Sequence, residues 1–126
     1  MANEITITTG LVATSGNFLV QHSTLTKQAT LTTATRSLNT QSITYLGTAG
    51  AALVIAAGVA AAGGWAWFRN LDATNYISIG VQVAGTFYPL VRLNAGEAAV
   101  FRLGVITPYA LANTANVILE HDIMSA

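Results

Sequence analysis

Along most of this chain apolar and polar residues alternate with a period of two, the pattern of half-buried strands. Ile5 and Ile7 alternate with Glu4, Thr6 and Thr8; Phe18 to Leu25 is a second extended run, and Ala29 to Thr35 a weaker third. Gly10 and Gly16-Asn17 mark interruptions. Gln41 to Leu46 sets Ile43 and Tyr45 against Ser42 and Thr44, and Trp65 to Asn70 reads as a strand. Asp72 suits the turn after it, because its side chain can accept backbone N–H bonds two residues on. Asn75 to Val83 places Ile77, Ile79, Val81 and Val83 on one face and Tyr76, Ser78, Gly80 and Gln82 on the other, until Gly85 breaks the run. No stretch carries the apolar stripe and charged face of a surface helix.

Phe87 to Leu93 and Glu97 to Leu103 read as a hairpin, since Asn94-Ala95-Gly96 has the length of a three-residue loop ending in a left-handed glycine. That pairing puts Phe87, Val91 and Leu93 beside Ala99, Phe101 and Leu103, and leaves Tyr88, Leu90 and Arg92 beside Val100 and Arg102 on an opposite, half-apolar face. Pro89 lacks a donor and belongs at an edge or a bulge. Asn113 to Met124 supplies the last strand, with Val117, Leu119, His121 and Ile123 on one side. Eight or nine short strands with frequent turn signals predict an all-β, single-domain antiparallel β-sandwich, jelly-roll-like, over residues 1–126, with residues 1–10 as an arm or edge strand.

Leu46 to Phe68 is free of charge over 23 residues, long enough to cross a bilayer. Its glycines at 47, 50, 58, 63 and 64, and its few large aliphatics, favour a buried strand near Ala52 to Ala57, an Ala/Gly loop and a second strand from Trp65. A small membrane protein spanning at 46–68 is the alternative. Met1 to Glu4 has no cationic segment, so a secretion signal is not expected.

Charge sharpens the picture. Charged residues are 8% of the chain and sum to zero, against roughly 25% in ordinary soluble domains. A small domain with so few charges tends to associate, while the absence of a net field offers nothing to nucleic acid or an anionic membrane. The chain has no cysteine, which removes disulfides and thiolate metal sites.

Chemistry-bearing groups do not converge. On a strand, His121 points away from Glu120 and Asp122, and His22 lies far off in sequence. The acids Glu4, Asp72, Glu97, Glu120 and Asp122 fall mostly at turns or strand ends. No nucleophile elbow, phosphate loop or dinucleotide fingerprint occurs. No enzyme activity, cofactor or metal is expected. Trp65 and Trp67 share one face, which is therefore deeply buried or a contact surface. Arg69, Arg92 and Arg102 read as donors between subunits rather than as a phosphate site. The candidate contact residues, toward another copy or another protein, are Trp65, Trp67, Tyr88, Arg92 and Arg102.

The order Phe68-Arg69-Asn70-Leu71-Asp72-Ala73-Thr74-Asn75-Tyr76, then Ile79-Gly80, Leu93 to Glu97, Val100 to Leu103 and Ala112-Asn113-Thr114-Ala115 resembles a group of small structural proteins encoded by tailed bacteriophages. Their pattern is an "FRNLDATNYV-IG" strand pair, a "LKPGE" turn and a closing "ANTA" strand. The resemblance covers residues from about 40 to 124. Asn94-Ala95 stands where Lys-Pro is usual, which leaves the turn intact, and Gly63 to Trp67 is bulkier than the pattern. The resemblance implies a β-sandwich virion component, assembled in the host cytoplasm. It would be a capsid cement or decoration protein bound to the major capsid protein and to itself, as a trimer rather than a dimer. Nucleic acid and membrane are not among its expected partners. A tail or head-fibre protein binding a host surface glycan is the alternative.

Overall fold

A computed structural model describes residues 4–31, 35–59 and 61–125. Its described residues form ten strands in antiparallel sheets and no helix, and the chain divides into two compact units, Met1–Thr32 and Thr33–Ala126.

In the first unit, β1 (Ile5–Ser15) and β2 (Phe18–Ala29) form a ribbon closed at Gly16-Asn17, where Gly16 takes a positive φ of 57°. Gly10 does not end the strand; the register shifts between Thr9 and Leu11 and the ladder continues. Alternation along β1 puts Ile5, Ile7, Thr9, Leu11 and Ala13 on one face, and the pairs Thr9–Leu25, Ala13–Val20 and Ser15–Phe18 add apolar partners to it. Ile5 and Ile7 are buried, whereas Leu11, Phe18 and Leu25 are exposed. Of the third strand expected over Ala29 to Thr35, residues 32–34 lie outside the described residues and Ala29 closes β2.

The second unit holds β3 (Arg36–Ile43), β4 (Ala51–Ala52), β5 (Trp65–Asn70), β6 (Ile77–Val83), β7 (Thr86–Leu93), β8 (Ala98–Arg102), β9 (Tyr109–Ala112) and β10 (Val117–Met124). One sheet has the order β3-β10-β5-β8 and the other β4-β9-β6-β7. Strand β3 pairs with β10, β4 with β9, β5 with β8 and β6 with β7. The chain thus pairs with itself as one long hairpin, rolled so that successive rungs fall in opposite sheets. This is jelly-roll wiring. Neither sheet closes on itself.

Between the sheets, Ile43, Phe68, Leu119 and Ile123 of the first meet Ile77, Ile79, Leu93 and Ala110 of the second in one apolar cluster. Phe68 stacks on Phe101 with ring centroids 5.2 Å apart. The expected alternation of β10 holds, with Val117, Leu119, His121 and Ile123 all buried.

Three expectations are corrected. Asn94-Ala95-Gly96 does not close a hairpin: β7 and β8 lie in different sheets, and this loop is a corner between them. The tight hairpin joins β6 to β7 across Ala84-Gly85, both with positive φ (50° and 80°), as a two-residue type I′ loop demands. Second, a bulge breaks the alternation of β7. Gly80 lies opposite Pro89 and Ile79 opposite Val91, so Leu90 is the extra residue of the edge strand β7. The phase of β7 slips there, so Phe87 does not share a face with Val91 and Leu93, and Val83, the last residue of β6 before the turn, is exposed. Pro89 itself is on an edge strand at a bulge, as its missing donor requires.

Third, the strand expected over Ala52 to Ala57 is reduced to Ala51–Ala52. Beyond it, side chains of β3 replace a ladder. Gln41 Nε2 donates to the Ala52 carbonyl (3.0 Å), Gln41 Oε1 accepts from Val54 N (2.9 Å), and Ser37 Oγ accepts from Ala56 N (2.9 Å). Leu53 is thereby held in the core. No helix among the described residues is long and apolar enough to cross a membrane.

Candidate interaction face

Each sheet has one face on the core and one outward, so the five candidate residues can be placed by register alone. Trp65, Trp67 and Arg102 stand on the outer face of the β3-β10-β5-β8 sheet. Arg92, paired with Ser78, stands on the outer face of the other sheet, and the bulge at Leu90 puts Tyr88 on the opposite side of β7 from it. The face imagined from a β7–β8 hairpin therefore does not exist as one surface.

On the first outer face, rows of paired residues run across the sheet. Arg36, Met124, Trp65 and Arg102 form one row; Leu38, Asp122, Trp67 and Val100 the next; Thr40, Glu120, Arg69 and Ala98 the third. Half of the chain's ten Asp, Glu, Lys and Arg residues stand in these rows. Arg36 grips both carboxylate oxygens of Asp122, with contacts of 2.6 to 3.0 Å. Arg102 donates to the Gly63 carbonyl and stacks over Trp65 at 4.8 Å. Trp67 is 38% exposed, and its Nε1 donates to Glu120 Oε1 at 3.0 Å, which fixes the ring. Arg69 is exposed, and its side chain makes no hydrogen bond or ion pair among the described residues. Leu38 and Ile118 add exposed apolar surface beside Trp67.

On the other sheet, the Arg92 guanidinium lies 3.6 Å over the Tyr76 ring and donates to Asn94 Oδ1 at 3.0 Å. It is a clamp on its own loop. Tyr88 is half exposed, beside the exposed Leu90. Between the ends of β7 and β8 lies a cavity of about 280 Å³ lined by Ile79, Val81, Leu90, Phe101, Leu103 and Pro108. It adjoins the bulge residue Leu90.

The motif residues meet at one end of the sandwich. Asn70, fully buried, donates through Nδ2 to the carbonyls of Asn75 (2.8 Å) and Leu93 (3.1 Å) and accepts from Asp72 N (2.9 Å). Asp72 Oδ1 accepts from the backbone N–H of Asn75 (2.6 Å) and of Thr74 (2.8 Å), and these bonds hold its carboxyl below the usual range. Thr114 donates to Asn75 Oδ1 at 2.6 Å. Glu97 Oε2 accepts from Asn94 N, and the Glu97 carbonyl from Asn70 N. The three separated fragments that carry the resemblance are thus one hydrogen-bonded corner. Their role is architectural.

His121 does point away from Glu120 and Asp122, and it is wholly buried. Its Nε2 lies 3.2 Å from Gln41 Oε1, while Nδ1 is buried without a partner. Burial pushes its pKa down, opposed by the nearby Asp122. Among the described residues no three His, Asp or Glu side chains lie close enough together to hold a metal. No family model, curated protein or solved structure matches the chain.

Proposed function

We propose that this chain is a non-enzymatic structural protein of a virion, a cement or decoration protein that associates with itself and bridges subunits of a capsid. The observation that carries this reading is apolar surface that the chain leaves uncovered. Leu11, Val12, Phe18, Leu19 and Leu25 of the β1–β2 ribbon are all about 60% exposed or more. A two-stranded ribbon is marginal in water by itself, and large exposed apolar patches mark sites of association. The action would be mechanical: contacts that are weak singly, repeated by the symmetry of a shell, add up to slow its dissociation. The jelly-roll wiring supports the reading at the level of fold, since capsid domains use it.

Purified protein mixed with bare shells, imaged for occupied positions, tests the reading directly. Particles lacking the protein should release their genome at lower temperature or milder osmotic shock. Equal stability with and without it would overturn the proposal. One observation favours a second reading. Trp67, exposed and pinned by Glu120 on a flat face, is a platform on which a sugar ring could stack, and lectins share this wiring. Binding on a glycan array that Trp67→Ala abolishes would support that role.

A further inference from the structure

We infer that the outer face of the β3-β10-β5-β8 sheet is a self-complementary surface on which a second copy of this chain docks about a twofold axis. The inference deepens the self-association proposed above and does not depend on the particle.

Residues that share a row set the geometry. The two central strands are β10 and β5, and their outward pairs are Met124–Trp65, Asp122–Trp67 and Glu120–Arg69. A twofold axis lying in the interface, parallel to the strands and midway between β10 and β5, sets β5 of one copy over β10 of the other. Every central row then meets its complement. Arg69 falls over Glu120 of the second copy and Glu120 over its Arg69. Trp65 falls over the Met124 thioether, a favourable sulfur–aromatic contact. Trp67 falls over the Arg36–Asp122 pair, whose guanidinium can stack on it. On the flanks Leu38 meets Val100 and Thr40 meets Ala98, while Arg36 stands opposite Arg102 of the second copy, each guanidinium already engaged within its own copy by Asp122 or by the Gly63 carbonyl and the Trp65 ring.

Charge complementarity in the Arg69–Glu120 row selects this occupant. Within one copy, Arg36 is engaged by Asp122, and Arg102 by the Gly63 carbonyl and the Trp65 ring. Among the described residues that leaves Arg69 with no partner and Glu120 with only the Trp67 N–H on one of its two oxygens. The cation and the carboxylate left over stand side by side on neighbouring strands, which is the arrangement a twofold axis between them requires. An isologous contact needs one patch complementary to itself.

The area agrees with a pair that forms reversibly. Four strands about 4.8 Å apart and six residues at about 3.3 Å each give roughly 400 Å² of sheet per copy. With side-chain relief the pair buries on the order of 1,000 Å², at the threshold for a specific contact. Sheets packed this way lie within about 30° of parallel, so the central rows stay opposed. The contact is a dimer, in place of the trimer favoured on sequence alone.

Sedimentation of the full chain across the micromolar range, with Arg69→Glu and Glu120→Arg, decides the matter. Wild type should be a concentration-dependent dimer. Each variant should dimerise at least about tenfold more weakly, because two like-charged contacts replace two attractive ones. An equimolar mixture of the two variants should recover wild-type association, since a heterodimer restores both pairs across the interface. No interaction within one chain can produce that rescue. A monomeric or trimeric wild type, an Arg69→Glu variant that dimerises normally, or a mixture without rescue would each overturn the inference. Circular dichroism of both variants separates lost association from lost fold. Shell binding, measured separately, reports on the proposed function alone.

Discussion

Asn70 Nδ2 lies 3.1 Å from the carbonyl oxygen of Leu93, and this bond ties a strand of one sheet to a strand of the other. The same amide bonds the Asn75 carbonyl and receives the N–H of Asp72. A single buried side chain thus closes two corners of the chain. Asn70→Ala should cost about 3 kcal/mol, because several buried backbone groups lose partners together. Urea unfolding should show a lower midpoint with an unchanged slope; a loss under about 1 kcal/mol would show that water replaces the side chain.

A second test concerns the bulge. A Cβ on Gly80 would stand 1.9 Å from the Tyr88 carbonyl oxygen, a contact with backbone that no side-chain rotation relieves. Gly80→Ala should therefore destabilise by about 2–3 kcal/mol through forced displacement of β7. Thermal unfolding measures this, and a melting temperature equal to that of the parent would contradict the bulge register.

The hairpin turn predicts a gain instead. Ala84 holds φ at 50°, in the left-handed region where a Cβ is strained. Asn tolerates that region and precedes glycine in the commonest type I′ turns. Ala84→Asn should stabilise by about 1 kcal/mol, read from the shift in urea midpoint.

His121 supplies a dependence on pH. Burial depresses its pKa in the folded chain below the ordinary 6.5. Under mild acid the unfolded chain takes the proton first, so stability is full above pH 6.5 and falls as pH drops through the window down to the depressed value. His121→Phe, which fills the buried space beside Phe68 without a titrating group, should flatten the stability profile in that window. A slope unchanged by the substitution would place the titrating group elsewhere.

These sites show what local pattern can and cannot convey. Alternation located β5 and β10 closely because each keeps one phase from end to end against a continuous core. It misplaced β7 and β8 because a left-handed glycine serves a hairpin loop and a corner between sheets equally well. The choice at Gly96 is made by Asn70, more than twenty residues earlier, whose amide reaches the Leu93 carbonyl. Alternation also failed along β7, since the one-residue bulge at Leu90 puts Phe87 and Val91 on opposite faces. Beta-strand pairing ends early at β4 because the segment 52–56 bonds to side chains of Ser37 and Gln41, a substitution that no spacing rule reveals. For the interaction face, period two was enough to put Trp65, Trp67 and Arg69 together. Finding Glu120 beside Arg69 needed the pairing of β5 with β10.

Pro89 and the extra Leu90 lie on the edge strand β7, and the opposite edge of the same sheet is the two-residue β4. Neither border offers a long row of free N–H and C=O groups to a passing strand. At this sheet, copies crowded side by side are therefore steered away from open-ended ladders of added strands. The borders left for strand addition are those of β3, β8 and the β1–β2 ribbon.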